Sequence, residues 1–548
     1  MIYLGERFKK AIGVEGKFID TVWPMIQYCF ANIFLGGGGY IISMYFTVYL
    51  TNVVGMELKH ATFIIMLATI WDGINDPIMG IITDRTRSKH GRHRRYLLWS
   101  IPFIVISYSM LWNSYGLDGK ANPTLCIIYY GFAYILYKTA YTMVDVPHMS
   151  MLPTLAPEYN KRTQYTSVSY IFNSVGMVPS YIILLIFLSV FNSSGELSKE
   201  SAAPFFVTGI VLSVVYACAI FATFKSVKEP SSLNETFPKL DIKFAINEYI
   251  QVFRSKSFRD YFTMSFFWQM ARSFYSTTII YFITYLANLY KYYPIYNTFA
   301  GVFESLAFPL NYALTMKMGK SKCGAVVTPM MIIGLGMLLL VKPGTSASGA
   351  GTLPLVLLIL GGAVLYPFGM SGIGFTGNNV LPDLTDVDEL ITGRRREGVM
   401  STFNTMVKQI VQGIMTFMVG STLDAFGLVT SNVKGEYIQQ TDLALTGIKV
   451  CVAILPMASA LIAWLMIKRF KMTKDDHTMI RAAIATKREY GSVTLTDYEK
   501  ERCELLTGYK LENTWLGKDN DEAEGNVLER DENGEYVILK KAKTTEEE

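Results

Sequence analysis

"HATFIIMLATIWDGINDPIMGIIT", His60 to Thr83, is an apolar run with two carboxylates, Asp72 and Asp76, four residues apart near its centre. The run is long enough to cross a bilayer, which takes roughly 20 residues. A charge at membrane depth costs about 3 kcal/mol even on lenient insertion scales, so acids placed there mark an ion or substrate path. The rest of the chain agrees that a bilayer is its solvent. It is 51% hydrophobic and only 17% charged, with mean hydropathy +0.28, whereas soluble domains carry about 25% charged residues. Apolar stretches of spanning length recur about twelve times, centred near Ile41, Leu67, Val105, Tyr134, Tyr181, Val214, Phe274, Phe303, Ile333, Leu360, Thr416 and Ala458. The expected fold is an all-α polytopic membrane protein.

Cations gather on alternate loops: "DRTRSKHGRHRR" after the second stretch, "PEYNKR" after the fourth, then the long central loop, "KMGKSKCG", "TGRRREG" and "KRFKMTK". The intervening loops hold few. By the positive-inside rule both termini and the central loop are cytoplasmic, in a cell membrane. The net charge of +5 is a topology signal and argues no nucleic-acid partner. The N-terminus lacks an uninterrupted apolar core and a small-residue cleavage site, so no cleaved signal peptide is expected. Six scattered cysteines show no disulfide or metal spacing. With no nucleophile–base set or nucleotide loop in sight, the chain reads as a non-enzyme without a cofactor.

Two segments echo each other. "MLPTLAPEYNKRTQ" follows the fourth stretch and "VLPDLTDVDELITGRRREG" the tenth. Both run Leu-Pro, acids, bases, then a new helix, as expected of two halves of about six helices related by an axis along the membrane normal, the major facilitator arrangement. The expected division is 1–228 for the first half, 229–256 for the cytoplasmic central loop, 257–472 for the second half and 473–548 for a charged cytoplasmic tail.

Asp72 and Asp76 share a helix face roughly 6 Å apart. Two ionised carboxylates that close repel, and a small cation or a proton relieves the repulsion. Asn75 adds a neutral oxygen, and together they suit Na⁺, Li⁺ or H⁺. The plainer alternative is that Asp76-Pro77 ends a helix while Asp72 pairs with a distant base. In the fourth stretch Lys138, Tyr141, Thr142 and Asp145 fall toward one side and would line a cavity, unless Lys138 snorkels to a surface. Arg272 and Glu304, in stretches seven and eight, either face substrate or neutralise each other. Lys408, Gln409 and Gln412 lie close together on stretch eleven. His148, beside Pro147, reads as interfacial.

At these residues the chain resembles a known family. "WDGINDPIMGIITDRTRSKHGRHRRYLLW", "YTMVDVPHMSMLP" and "LPDLTDVDELITGRRREGVMSTFNTMVK" are similar to the helix-two, helix-four and helix-ten-to-eleven signatures of the glycoside–pentoside–hexuronide:cation symporters, the melibiose-permease-like branch of the major facilitator superfamily. The likeness spans residues 20–470. It implies a cation site for Na⁺ or H⁺ at Asp72 and Asp76, assisted by Asn75 and Thr142, with Na⁺ as the only metal. It also implies a sugar-hydroxyl acceptor at Asp145, a carboxylate able to take two hydrogen bonds from vicinal hydroxyls.

Several positions depart from the family pattern. Gly36 stands where an acid is expected, Tyr170 stands near an expected arginine, Met149 replaces an aromatic, and Gln409 replaces a lysine that Lys408 precedes. Lys138 and Arg272 are extra cations and hint at an anionic substrate such as a hexuronide. The implied activity is cation-coupled symport of a sugar or glycoside by alternating access, with Lys138, Tyr141, Asp145, Arg272, Lys408 and Gln409 as substrate contacts. Asp84 and Arg85 in one loop and Glu389 and Arg395 in another would make the inner gate, with Gly80 and Gly91 allowing tight turns. The alternative is a carrier of the same fold for a non-sugar solute or an amphipathic lipid. The tail from Thr473 reads as short helices followed by a disordered charged end, with His477 as its one histidine.

Overall fold

The structure is a computed structural model that describes residues 18–156, 159–191, 201–229, 231–233, 250–289, 292–342, 353–429, 439–470, 472–518, 527–530, 534 and 536–537. Residues 1–17, most of the central loop, the end of the tail and the side chain of Tyr170 lie outside the described set.

Nearly everything described is helix, as a bilayer demands of a chain that must satisfy its own backbone hydrogen bonds. We number the helices in order: α1 Phe18–Cys29, α2 Asn32–Val48, α3 Leu58–Asp84, α4 Arg94–Leu111, α5 Pro123–Leu155, α6 Tyr159–Phe191, α7 Ala202–Ser226, α8 Lys256–Tyr281, α9 Tyr293–Met318, α10 Lys320–Leu339, α11 Leu353–Leu357, α12 Tyr366–Thr392, α13 Glu397–Ala425, α14 Asp442–Lys449, α15 Leu455–Arg469, α16 Lys474–Tyr490 and α17 Asp497–Thr507. Every expected span centre falls on this helical backbone. Among the described residues, six helices are long and apolar enough to cross a membrane by length and composition. Ile106, Ile128, Phe132, Val214 and Ile333 are each more than half exposed. An apolar surface of that extent fits lipid rather than water.

Prolines do not break the pattern where a soluble chain would break. Pro77 lies inside α3 and Pro382 inside α12, so Asp76-Pro77 does not end a helix. Gly80 likewise lies within α3 rather than at a turn, whereas Gly91 does turn the chain, at φ +86°. Wider π-helical turns occur at Tyr49–Val53, just after α2, and at Phe282–Leu286, just after α8. Two more join α11 to α12 (Leu358–Leu365) and α14 to α15 (Val450–Ile454).

By contacts the chain forms two compact units, Met1–Lys239 with Gln412–Ala444, and Leu240–Val411 with Leu445–Glu548. In the first unit α2 packs on α6, α3 on α5, and α4 on α5 and α7. The α2–α6 crossing is as close as backbones allow. A Cβ added to Gly36 would lie 2.2 Å from the Asn173 carbonyl oxygen, and one added to Gly176 would lie 2.2 Å from that of Ile33. This crossing is what Gly36 and Gly37 of the glycine run serve. Segment 412–444 belongs to this unit because it lies along α3: Phe417 packs edge-on to Phe63 and Lys59 meets Asp424 at 3.3 Å.

In the second unit α8 packs on α15, and α12 on α9 and α10. The tail joins this unit as a folded piece. Each of its helices starts with a capping box, Thr473 with Asp476 and Thr496 with Glu499, in which side chains satisfy the first backbone N–H groups. Met479, Ile480, Ala483, Cys503, Leu506 and Leu516 bury against Val387 and Leu390 of α12. The Trp515 and Leu516 amides donate to the Ile391 and Leu390 carbonyls at 3.0 and 3.2 Å. Short helices match the expectation for this segment.

Candidate functional site

In the first unit α3 and α5 form a two-rung ladder. The Lys138 ammonium donates to Asp72 Oδ2 at 2.8 Å. One turn on, the Thr142 hydroxyl donates to Asp76 Oδ1 at 2.9 Å and lies 3.4 Å from Asp72 Oδ1. Both pairs are spaced i, i+4, so matching helices bring the rungs together. The Trp71 indole N–H braces the same junction by donating to Thr139 Oγ1 at 2.9 Å. Asp72 and Thr142 are buried and Asp76 is half-buried. Asn75 is buried beside them, and its amide nitrogen has no hydrogen-bond partner. Asp72 therefore does pair with a distant base, and that base is Lys138, 66 residues away. Lys138 turns to the acid rather than snorkelling to a surface.

Asp145 follows Thr142 by one turn. It is half-buried and makes no hydrogen bond or ion pair among the described residues. Tyr141 donates its hydroxyl to the Leu35 carbonyl at 3.2 Å, and its ring centre lies 5.9 Å from the Lys138 ammonium. The departure at Gly36 has a steric cause: the α2–α6 crossing leaves no space for an acid there. Met149 points outward, exposed. His148 is buried rather than interfacial. Its ring stacks on Tyr28 at 4.0 Å, its carbonyl accepts from the Tyr28 hydroxyl at 2.8 Å, and Nε2 lies 2.9 Å from the Tyr28 carbonyl.

In the second unit two cations share one indole. The Arg272 guanidinium lies 5.9 Å and the Lys408 ammonium 5.4 Å from the Trp268 ring centre. Lys408 also reaches Asn378 Oδ1 at 3.4 Å. Gln409, one position on, is half-buried. Among the described residues no ion pair joins Arg272 to Glu304, so of the two alternatives mutual neutralisation is not how the structure arranges them.

The charged loop signatures pair within their own units. His93 Nε2 lies 3.4 Å from Asp84, and its Nδ1 lies 2.7 Å from Glu229. Glu229 also accepts the His93 and Arg94 backbone N–H groups at 2.9 Å, placing a negative charge at the positive end of α4. Burial alone would lower the His93 pKa, but its hydrogen bonds to Asp84 and Glu229 outweigh that and raise it above the usual value. Burial alone would raise Glu229, yet the bonds from His93 and from the α4 backbone hold it below. Arg85 closes α3 as its C-cap.

In the other unit Glu389 forms an ion pair with Arg488 at 2.5 Å and lies 3.7 Å from Arg395. Asp386 meets His477 at 2.9 Å and Arg395 at 3.5 Å. Asp388 is held by both arms of Arg396, at 2.8 and 2.6 Å. Sequence reading missed Glu229, Arg396 and the tail residue Arg488. The partners of Glu229 and Arg488 lie about a hundred residues away or more, beyond any local pattern, and Arg396 is one of three adjacent arginines that look alike.

Long helices with apolar outer faces and internal acids and bases frame a polytopic membrane protein, and the family match makes it a non-enzymatic transporter. The family described as MFS/sugar transport protein matches residues 28–474, and the chain belongs to it, within the glycoside–pentoside–hexuronide:cation symporters. An uncharacterized symporter of Synechocystis is 24% identical, over 82% of this chain and 94% of that protein. The isoprimeverose transporter of Lactiplantibacillus pentosus is 23% identical, over 72% of this chain and 78% of that protein. Among solved structures, the nucleoside transporter NupG matches with a TM-score of 0.53 and 12% identity, over 82% of this chain and 98% of NupG. The fold is that of a major facilitator transporter.

Proposed function

We propose that this chain carries a sugar or glycoside across a cell membrane by cation-coupled symport, through about twelve spans with both termini inside. The observation that carries this reading is the ladder Asp72–Lys138 and Asp76–Thr142 with Asp145 one turn further on. It supports an ion site, for Na⁺ or H⁺, in which one acid faces an ammonium and the other only a hydroxyl, directly beside an unengaged carboxylate. Charge brought to the first acids favours substrate settling against Asp145 and Tyr141, and the two halves then rock about the site. The coupling is reciprocal. The paired cations on Trp268 support a substrate with an acidic group, such as a hexuronide.

The test is uptake into membrane vesicles of labelled glycosides, pentosides and hexuronides, with an inward Na⁺ gradient, an inward H⁺ gradient or neither. Hydrogen bonds to a charged acceptor are worth about 1.5–3 kcal/mol, so Asp145→Asn weakens apparent affinity by roughly 10- to 150-fold while leaving thermal stability intact. A panel on which nothing moves sinks the sugar reading in favour of another solute or an amphipathic lipid.

A further inference from the structure

We infer that Lys138 is a built-in cation that takes the alkali ion's place at Asp72, so that wild-type protein makes no use of Na⁺ at this site. The inference rests on the transport reading above and names which ion the carrier does without. The geometry argues it in three steps. First, the ammonium is seated on Asp72 Oδ2 at 2.8 Å, within hydrogen-bonding distance of the acid whose charge an alkali ion would neutralise. Second, the other donors are already ordered around this arrangement. Thr142 commits its hydroxyl hydrogen to Asp76, and Trp71 fixes the neighbouring turn through Thr139. Third, the ammonium has no easy retreat. Lys138 lies fifteen residues into α5, about 22 Å along the helix from its start, beyond the reach of its side chain, and its side chain is only 20% exposed.

An alkali ion between Asp72 and Asp76 would therefore sit beside a fixed positive charge. Lys138 supplies the same neutralisation but stays with the carrier through the cycle. A Na⁺ gradient is then not spent on transport, although both acids, Asp72 and Asp76, are present. The substitution at position 138 is thus a determinant of ion specificity that acts through Asp72.

The test is Na⁺ titration of the full-length protein in lipid nanodiscs, at constant ionic strength against choline. It is read by tryptophan fluorescence, with Trp71 adjacent to Asp72, and by thermal midpoint. Wild type and Lys138→Arg are expected to show no Na⁺-specific response. Lys138→Met, which keeps the stem and removes the charge, and Lys138→Ala are expected to gain a saturable one. Removing a competing charge at one acid is a coupling of about 5–150-fold, and the gain in Na⁺ affinity falls in that range. Wild type binding Na⁺ as tightly as Lys138→Met overturns the inference, as does a folded Lys138→Met that binds none. Should both uncharged variants fail to fold, wild type alone decides, because a saturable Na⁺ response there overturns the inference and silence in wild type and Lys138→Arg upholds it. The two readings fail separately. Sugar uptake that follows an imposed Na⁺ gradient in wild type overturns this inference and leaves transport standing. Gained Na⁺ binding with no sugar moved does the reverse.

Discussion

Of the three arginines Arg394, Arg395 and Arg396, the structure makes one indispensable. Arg396 and Asp388 have side chains 4% and 2% exposed and are joined by two parallel bonds of 2.8 and 2.6 Å, with a third from Arg396 to Gln251 at 3.2 Å. Removing one member of a buried pair leaves the other charged and uncompensated, which costs about 3–5 kcal/mol. Arg396→Ala is therefore expected to lower the thermal midpoint on the order of 10 °C. Lysine keeps the charge but not the fork, so Arg396→Lys falls between. Arg396→Met with Asp388→Leu removes both charges and regains much of the loss. Arg394 and Arg395 are exposed, and alanine at either costs at most about 1 kcal/mol.

The chain supplies its own reporter for this ranking. Cys503 is buried in the cluster that Val387 and Leu390, the neighbours of Asp388, form with the tail, and Cys218 is the exposed thiol. In a Cys218→Ser background a thiol-reactive dye reads Cys503 as the tail lets go. In Arg396→Ala it should label Cys503 before the buried Cys29, Cys323 and Cys451. Labelling unchanged from wild type, or Arg394→Ala costing as much as Arg396→Ala, would refute the argument.

Two further outcomes follow from named contacts. The raised His93 contributes stability that is fully present below about pH 6.5 and is lost as pH climbs through its folded value. The depressed Glu229 contributes above about pH 4.5 and is lost as pH falls through its own. The stability advantage of wild type over His93→Gln should thus shrink steadily from pH 6 to 8.5, and a gap that ignores pH would sink the account. At the α2–α6 crossing, Gly36→Ala forces the backbones apart for about 1–3 kcal/mol. Gly39→Ala meets nothing within 4 Å and should gain up to about 1 kcal/mol, so equal midpoints for the two variants would contradict the packing described.

What the sequence shows and what it hides divide along physical lines. Membrane helices need apolar length, so hydropathy alone placed each expected centre on helix, six of the described helices being long and apolar enough to cross a membrane, and it marked Asp72 and Asp76 as acids out of place. The tail announced itself less plainly. Its apolar residues, Met479, Ile480, Ala483 and Leu506, are diluted by charge, yet "TKDD" at Thr473 and "TDYE" at Thr496 are helix-start signals that deserved more weight than net polarity. The π-helical turns left no trace in the pattern, because they depend on how neighbouring helices pack.

The hidden information at the site is register. Lys138 reads equally well as a cavity cation, a snorkelling base or a partner for Asp72, and only the alignment of α5 on α3 selects the third. That selection changes the chemistry of the site. With Lys138 on Asp72, the acids that looked like a two-carboxylate ion trap become one neutralised rung and one hydroxyl-bonded rung, while Asp145 makes no hydrogen bond or ion pair among the described residues. The same reasoning explains Gly36. Its missing acid looked like a lost sugar contact, but the 2.2 Å approach to the Asn173 carbonyl oxygen shows a helix crossing that no side chain could enter.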